Sequence, residues 1–310
     1  MRTLKLGGST LDVPVIAVGC MRLDSLDRQD AERFVHTALD EGANFFEHAD
    51  IYGGGRCEEI FADAAGMSSS VRGKVILQSK CGIRPGMFDF SREHILASVD
   101  GSLKRLKTDY LDVLLLHRPD ALVEPEEVAA AFDELEQSGK VRHFGVSNQH
   151  PRQIDLLKKY VRQPLVANQL QLSITNANMI TSGFNVNMEN SAAINRDGGI
   201  LDYCRLHDLT IQPWSPFQFG FFEGVFLGSD KFPELNAKIA EVAQKYNEWQ
   251  FQATLRQHQL WFLKRAESEV DQGRVKADAE KAVNDLESRV ADLRRIESDL
   301  ETIRQAHYAA

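Results

Sequence analysis

The chain lacks any excess of positive charge: 36 lysines and arginines stand against 45 aspartates and glutamates, a formal net charge of -9 over 310 residues. An acidic surface repels phosphate backbones and anionic membranes, and no dense Lys/Arg stripe overrides the average, so neither nucleic acid nor a membrane is an expected partner. Cysteine is also scarce. Cys20, Cys57, Cys81 and Cys204 lie far apart with no C-x-x-C pair, which argues against a zinc site or a disulfide framework and for free thiols in a reducing compartment. No window reaches the roughly 18 apolar residues of a membrane span, and Met1-Arg2 leads into Leu-Lys-Leu-Gly-Gly rather than a long apolar stretch. A cytoplasmic, unprocessed protein is expected. The Gly-x-Gly-x-x-Gly fingerprint of a dinucleotide-binding turn is missing too.

What is present is a core of useful size, 43% of the residues being hydrophobic, enough for one large domain or one domain with an appendage. Arg2 to Val13 alternates apolar and polar residues about Gly7-Gly8, which predicts a β-hairpin serving as a small plug or lid. Short β-branched or aromatic runs then alternate with helical-period segments. Strands are expected at Val15–Val18, Asn44–His48, Val75–Lys80, Leu111–His117, Val141–Val146, Leu165–Leu170 and Thr210–Trp214, each followed by a helix-like stretch. Ser91 before Arg92-Glu93, and Pro125 followed by Glu126-Glu127, are helix-start signals. This α/β rhythm predicts a parallel sheet with crossover helices. Polar residues such as Lys80 and His117 fall just after strands, where either a (β/α)8 barrel or a doubly wound sheet places its site. The absent glycine fingerprint tilts the choice to the barrel. Between Gln171 and Gly199 runs an Asn/Ser/Gly-rich stretch too long for a simple connection, expected to cover substrate or cofactor unless it is a floppy insertion.

Several residues suit carbonyl reduction. Hydride transfer to a carbonyl leaves an alkoxide, which needs a proton donor within hydrogen-bond reach. Tyr52 can donate; a neighbouring ammonium, Lys80, would favour its ionised form and lower its pKa, and Glu47 would keep a buried lysine charged. His117 could orient the carbonyl oxygen. Trp214 offers a flat face for a nicotinamide ring, while Ser147, Asn148 and Gln169 offer hydroxyl and amide partners for its carboxamide. A lone Tyr, Lys or His at a strand end is usually a satisfied surface residue, so only the joint, ordered set carries weight. Asp50 reads as a loop-capping or surface carboxylate. Asp109 and Asp112 fit a helix-to-strand junction better than a metal site, and His143, His150 and His207 lack ligand spacing. No metal is expected.

In order along the chain, Phe46-Glu47-His48-Ala49-Asp50-Ile51-Tyr52-Gly53, Lys80, His117, Gly145-Val146-Ser147-Asn148, Asn168-Gln169 and Gln212-Pro213-Trp214-Ser215-Pro216 resemble segments of the aldo-keto reductases. The resemblance implies a (β/α)8 TIM-type barrel and NAD(P)H-dependent reduction of an aldehyde or ketone. It makes Tyr52, Lys80, His117 and Glu47 the catalytic set, and Ser147, Asn148, Gln169, Trp214 and Ser215 the nicotinamide-holding set. It also implies NADPH as cofactor, with NADH still open. Members of that family carry Asp five residues before the tyrosine, where this chain has Glu47, and reduced turnover is the expected consequence.

The resemblance runs to about Asn247, with Leu235, Ile239, Val242 and Ala243 on one face of a last barrel helix. From Glu248 on there is no strand signal, no proline and one glycine, Gly273. The eighth strand and the turn that grips the adenosine 2′-phosphate are therefore expected to be missing. Residues 1–247 read as the barrel and 248–310 as a helical tail. Ala279, Val283, Leu286, Val290 and Leu293 step by four and three like a heptad seam, which slips at Ile296, Leu300 and Ile303. A coiled coil joining copies through residues 275–305 and an amphipathic helix packed on the barrel both fit. The alternative function is a catalytically impaired barrel acting through this tail as an oligomerising or cofactor-sensing interaction protein.

Overall fold

The computed structural model describes residues 1–220 and 223–245. Two compact units divide the chain, residues 1–224 and 225–310. The first holds one seven-stranded sheet: β1 (Val18–Gly19), β2 (Phe45–Glu47), β3 (Ile76–Cys81), β4 (Leu111–Leu116), β5 (Val141–Ser147), β6 (Leu165–Gln171) and β7 (Thr210–Trp214). All neighbours are parallel and in sequence order, β1 and β7 being the end strands. The crossovers carry α1 (Arg28–Asp40), α2 (Arg56–Ala64), α3 (Arg92–Leu106), α4 (Pro125–Gln137), α5 (Pro151–Lys158) and α6 (Ile200–Leu206).

The sheet is curled, and side chains show it. Gln78 of β3 and Gln212 of β7 exchange two amide hydrogen bonds of 3.0 Å each, although three strands lie between them. A flat sheet with about 4.8 Å per strand would hold them nearly 20 Å apart. Glu47 of β2 likewise accepts from Gln169 of β6 at 3.3 Å. This is the wall of an α/β TIM-type barrel, with seven strands among the described residues. The tail expected at 248–310, with its heptad seam and missing eighth strand, lies outside the described residues.

Strand alternation sorts the side chains. On β4, Leu114 and Leu116 join the core shared with the helices, which includes Val35, Ile95, Val99 and Phe132. Val113 and Leu115 instead face Phe45, Val166 and Ala167 within the curl. The same period turns Glu47 on β2, and Gln78 and Lys80 on β3, inward. Caps set the helix starts: Asp27 accepts from Asp30 N–H at 2.8 Å, Ser91 from His94 N–H at 3.3 Å, and Pro125 occupies the first turn of α4.

Two sequence expectations shift. The first strand is not Val15–Val18, because Val15 N–H bonds Arg2 O and extends the N-terminal hairpin of Thr3–Lys5 and Asp12–Pro14. That hairpin is a plug: Leu6 and Val13 are buried against the inner face. Gly7 has φ +55° and gives its N–H to Thr210 Oγ1 at 2.6 Å; a Cβ there would come 2.3 Å from Val166 O. Val166 and Thr210 start their strands, so the plug fills the end opposite the strand C-termini. The second shift is in the long stretch after Gln171, which is partly ordered as a helix at Asn178–Phe184 and a short 3-10 turn at Ser191–Ala193. Asn/Asp-rich sequence concealed it, since such residues compete locally for backbone bonds.

Asp112, set aside as a metal ligand, is a buried ion-pair partner. It accepts from Arg72 Nη2 at 2.7 Å and from Leu77 N–H at 2.9 Å, and Arg72 and Arg142 stack on either side at 3.7 Å from the Tyr110 ring centroid. Among the described residues no group of three or more acidic, His or Cys side chains could hold a metal, and no helix is long and apolar enough to cross a membrane. All four cysteines are buried and free. In the second unit, Pro233–Lys245 forms the expected helix. Leu235, Ile239 and Ala243 are half-buried there while Val242 is exposed; Asn236 secures the preceding turn by donating to Phe226 O and Phe232 O at 2.8 Å each.

Candidate active site

The inward-facing ends of β2 and β3 bring Glu47 and Lys80 together, and the turn after β2 adds Tyr52. That turn, Tyr52–Gly55, depends on glycine: Gly53, Gly54 and Gly55 have φ of +57°, +64° and +95°, values at which a Cβ is strained. The run folds the chain directly into α2 and leaves the Tyr52 hydroxyl pointing at the strand ends.

Lys80 is fully buried. Its Nζ lies 2.7 Å from Tyr52 Oη, donates to His48 O at 2.8 Å, and pairs with Glu47 Oε1. The same Glu47 oxygen accepts from Tyr52 Oη at 3.3 Å and from Gln169 Nε2 at 3.3 Å. Three donors on one carboxylate oxygen make Glu47 the hub of the site. Gln169 Nε2 also reaches Gln212 Oε1 at 3.4 Å, which links the hub to the Gln78–Gln212 pair deeper in the curl.

Electrostatics departs from the sequence expectation at one point. Lys80 was to lower the Tyr52 pKa, yet burial first, and then the Glu47 carboxylate, push the Tyr52 hydroxyl well above its ordinary value. Burial pulls Lys80 down, with Glu47 opposing. The carboxylate therefore shares the lysine's charge with the tyrosine, and Tyr52 rests protonated at neutral pH. Asp50 is half-buried rather than a plain surface carboxylate, its carboxyl pushed up to about 6 mainly by burial.

His117, at the end of β4, faces Tyr52 edge-on with ring centroids 6.0 Å apart. Burial first, then Lys80 and Arg118, lower its pKa to about 2. The ring is neutral, with one N–H to give, and its Nδ1 has no partner among the described residues.

Next to these lies a second cluster at the ends of β5, β6 and β7. Asn148 sits at φ +57°; its N–H bonds Gln169 O at 2.9 Å and its Oδ1 accepts from Trp214 Nε1 at 3.1 Å. Asn148 Nδ2 donates to Ser147 Oγ at 2.8 Å and, at a long 3.5 Å, to His117 O; Ser147 Oγ donates to Gln169 O at 3.1 Å. Ser215 follows Trp214 at φ +50°, its carbonyl accepting from Gln218 N–H. Eight of the nine sequence-derived residues thus share one bonded or ring-contact network, while Ser215 is adjacent in sequence only.

Sequence reasoning gave no role to Gln78, Gln212, His48 and Arg118, although His48 and Gln212 lie in the segments that carry the resemblance. Gln78 had a signal, lying two residues before Lys80 on the same strand face. His48 is fully buried with neither ring nitrogen partnered among the described residues, and burial followed by Lys80 lowers its pKa to about 3. Arg118 follows His117 and holds its guanidinium 5.8 Å from the Trp214 ring centroid.

A curled parallel sheet with a Tyr, a Lys and a carboxylate at its strand ends defines a class of barrel proteins, and comparison with known proteins names it. The sequence pattern of the aldo/keto reductase family matches residues 15–260. The chain belongs to the aldo/keto reductase family, and the general class that goes with this membership is oxidoreductase. The match extends past Asn247, where the sequence reading ended it. The chain is 39% identical over 214 residues to the uncharacterized oxidoreductase YcsN of Bacillus subtilis, covering 65% of this chain and 66% of that protein. Among solved structures, the thermostable aldo-keto reductase Tm1743, in complex with the inhibitor epalrestat, superposes with a TM-score of 0.61 at 25% identity, over 80% of this chain and 81% of that one. A stretch of 73 residues is 62% identical to the chromosome partition protein Smc of Delftia acidovorans, 24% of this chain but 6% of that protein. The chain thus spans about two thirds of YcsN and a small part of Smc.

Proposed function

We propose that the chain reduces aldehydes or ketones to alcohols with a reduced nicotinamide cofactor, Tyr52 giving the proton. The observation that carries this reading is the 2.7 Å contact between Lys80 Nζ and Tyr52 Oη, backed by Glu47. When bound, the cofactor supplies a hydride to the carbonyl carbon. Tyr52 Oη passes its proton to the carbonyl oxygen, and the adjacent Lys80 ammonium stabilises the phenolate left behind. Glu47 holds Lys80 charged in its buried position. Neutral His117 donates its N–H to the same oxygen and fixes the carbonyl's approach.

The residues around Trp214 fit a nicotinamide. Its ring is held by Asn148 at a strand end, and the long bond from Asn148 Nδ2 to His117 O is one that a carboxamide oxygen could replace. Ser147, Asn148 and Gln169 would hold the carboxamide, with Trp214 against the ring and Ser215 beside it. NADPH is the proposed form on the family's pattern, NADH being the comparison. A cytoplasmic protein acting on small carbonyl compounds, without nucleic acid or membrane partners, belongs to the same proposal. So does the division into a barrel, 1–247, and a helical tail, 248–310.

The test is a calorimetric titration of the full chain with NADPH and then NADH, followed by turnover of a panel of aldehydes and ketones. Micromolar or tighter binding, about 8 kcal/mol, is expected. Tyr52→Phe should lower kcat roughly a hundredfold or more while cofactor affinity stays within about twofold, less than 0.5 kcal/mol. A folded chain that binds neither form refutes the reading.

A second reading, an impaired barrel that works through its tail as an oligomerising or cofactor-sensing protein, is favoured by the heptad spacing of Ala279, Val283, Leu286, Val290 and Leu293 in the sequence. Sedimentation of the full chain separates the two: a stable oligomer without turnover supports this one, and a monomer with turnover removes it.

A further inference from the structure

We infer that Arg118 makes this site selective for carbonyl substrates bearing a second, anionic group, a carboxylate or phosphate apart from the reacting carbonyl. The inference rests on the reductase reading for its context and on Arg118 for its content. Arg118 leaves the end of β4 immediately after His117, so its backbone is fixed beside the carbonyl-orienting ring. The guanidinium lies 5.8 Å from the Trp214 ring centroid.

What sets this cation apart is the lack of a carboxylate. Four other buried or half-buried cations of the barrel have a carboxylate partner: Lys80 with Glu47, Arg72 with Asp112, Arg105 with Glu58 and Lys140 with Asp100. Arg118 is half-buried, yet among the described residues no Asp or Glu lies within ion-pair distance, and burial lowers its pKa. A guanidinium partly removed from water without a counter-charge is unfavourable, and an incoming anion offsets that cost through two parallel N–H···O bonds. The preference is local, because the chain as a whole carries -9 and repels anions at long range. Glu47 already neutralises Lys80, whereas Arg118, beside Trp214, has no carboxylate partner among the described residues.

Phosphates of the cofactor could present the same chemistry, and the experiment separates the two sources. With the full chain and NADPH, kcat/KM is measured for two pairs of an acid and its neutral ester: 4-carboxybenzaldehyde with its methyl ester, and succinic semialdehyde with its methyl ester. The acid of at least one pair is expected to be preferred about tenfold or more. Arg118→Gln should raise KM for that acid about tenfold and for its ester far less, and Arg118→Lys should recover part of the preference. Equal or better use of both esters overturns the proposal, as does an acid preference that survives Arg118→Gln. A loss of NADPH affinity in Arg118→Gln with unaltered acid-to-ester ratio also overturns it, assigning the guanidinium to a cofactor phosphate. Should no aldehyde turn over, the reductase reading fails, and calorimetric binding of 4-carboxybenzaldehyde against its ester decides Arg118 by itself. Acid bound about tenfold tighter by the natural chain than by Arg118→Gln supports the inference, and equal binding overturns it.

Discussion

Shortening Glu47 to aspartate should make the enzyme faster. Its Oε1 collects Lys80 Nζ, Tyr52 Oη at 3.3 Å and Gln169 Nε2 at 3.3 Å. Removing one methylene withdraws the carboxylate by up to about 1.5 Å, one carbon–carbon bond. The tyrosine and glutamine contacts are already long for hydrogen bonds and would break, while the lysine pair, the shortest of the three, would persist. Tyr52 then feels the ammonium with less of the carboxylate. Its ionised form is less disfavoured, and it becomes a better acid. A long bond of this kind is worth about 0.5–1.5 kcal/mol, which corresponds to a rise of about two- to tenfold in the chemical step. Single-turnover reduction of an aldehyde isolates that step from product release. Because Glu47 raises the Tyr52 pKa, its withdrawal also moves the high-pH limb, where Tyr52 loses its proton, to lower pH. An unchanged or slower chemical step in Glu47→Asp would refute the claim that the longer side chain restrains Tyr52.

Stability predictions follow from two buried groups outside the proposed chemistry. His48 has a folded pKa of about 3 against an ordinary 6.5, so the folded state binds fewer protons than the unfolded one between those values; its contribution is intact above pH 6.5 and is lost as pH falls below it. The slope is about 1.4 kcal/mol per pH unit, and His48→Leu should spare about 2 kcal/mol of the loss between pH 7 and 5 in urea titrations; parallel curves would refute the assignment. Asp112→Ala leaves Arg72 buried without its partner and Leu77 N–H without an acceptor, with an expected loss of about 3–5 kcal/mol. A change under about 1 kcal/mol in the urea midpoint analysis would show that the pair relaxes into solvent.

The order of the site along the chain was legible because a parallel barrel places chemistry just after each strand, and alternation fixes which residues turn inward. Lys80 and Gln78 lie two apart on β3, so identifying one as interior predicts the other. Caps at Ser91 and Pro125 were legible for a similarly local reason. Val15 and Ile16 were not: a β-branched pair reads as strand, but the hairpin claims Val15 through Arg2 O, a contact made across the turn.

Sequence by itself determined the α/β rhythm, the family, and the residues gathered at the strand ends, because each depends on short-range periodicity and on motifs of a few residues. Only the tertiary structure decided how those residues share charge. The hub at Glu47, the Gln78–Gln212 pair bridging β3 and β7, and the absence of a carboxylate beside Arg118 among the described residues each depend on groups far apart in the chain. Burial, which sends the Tyr52 pKa upward rather than downward, is a property of the curled sheet and of no local segment, since it exists only once several strands and the turn after β2 come together and exclude water.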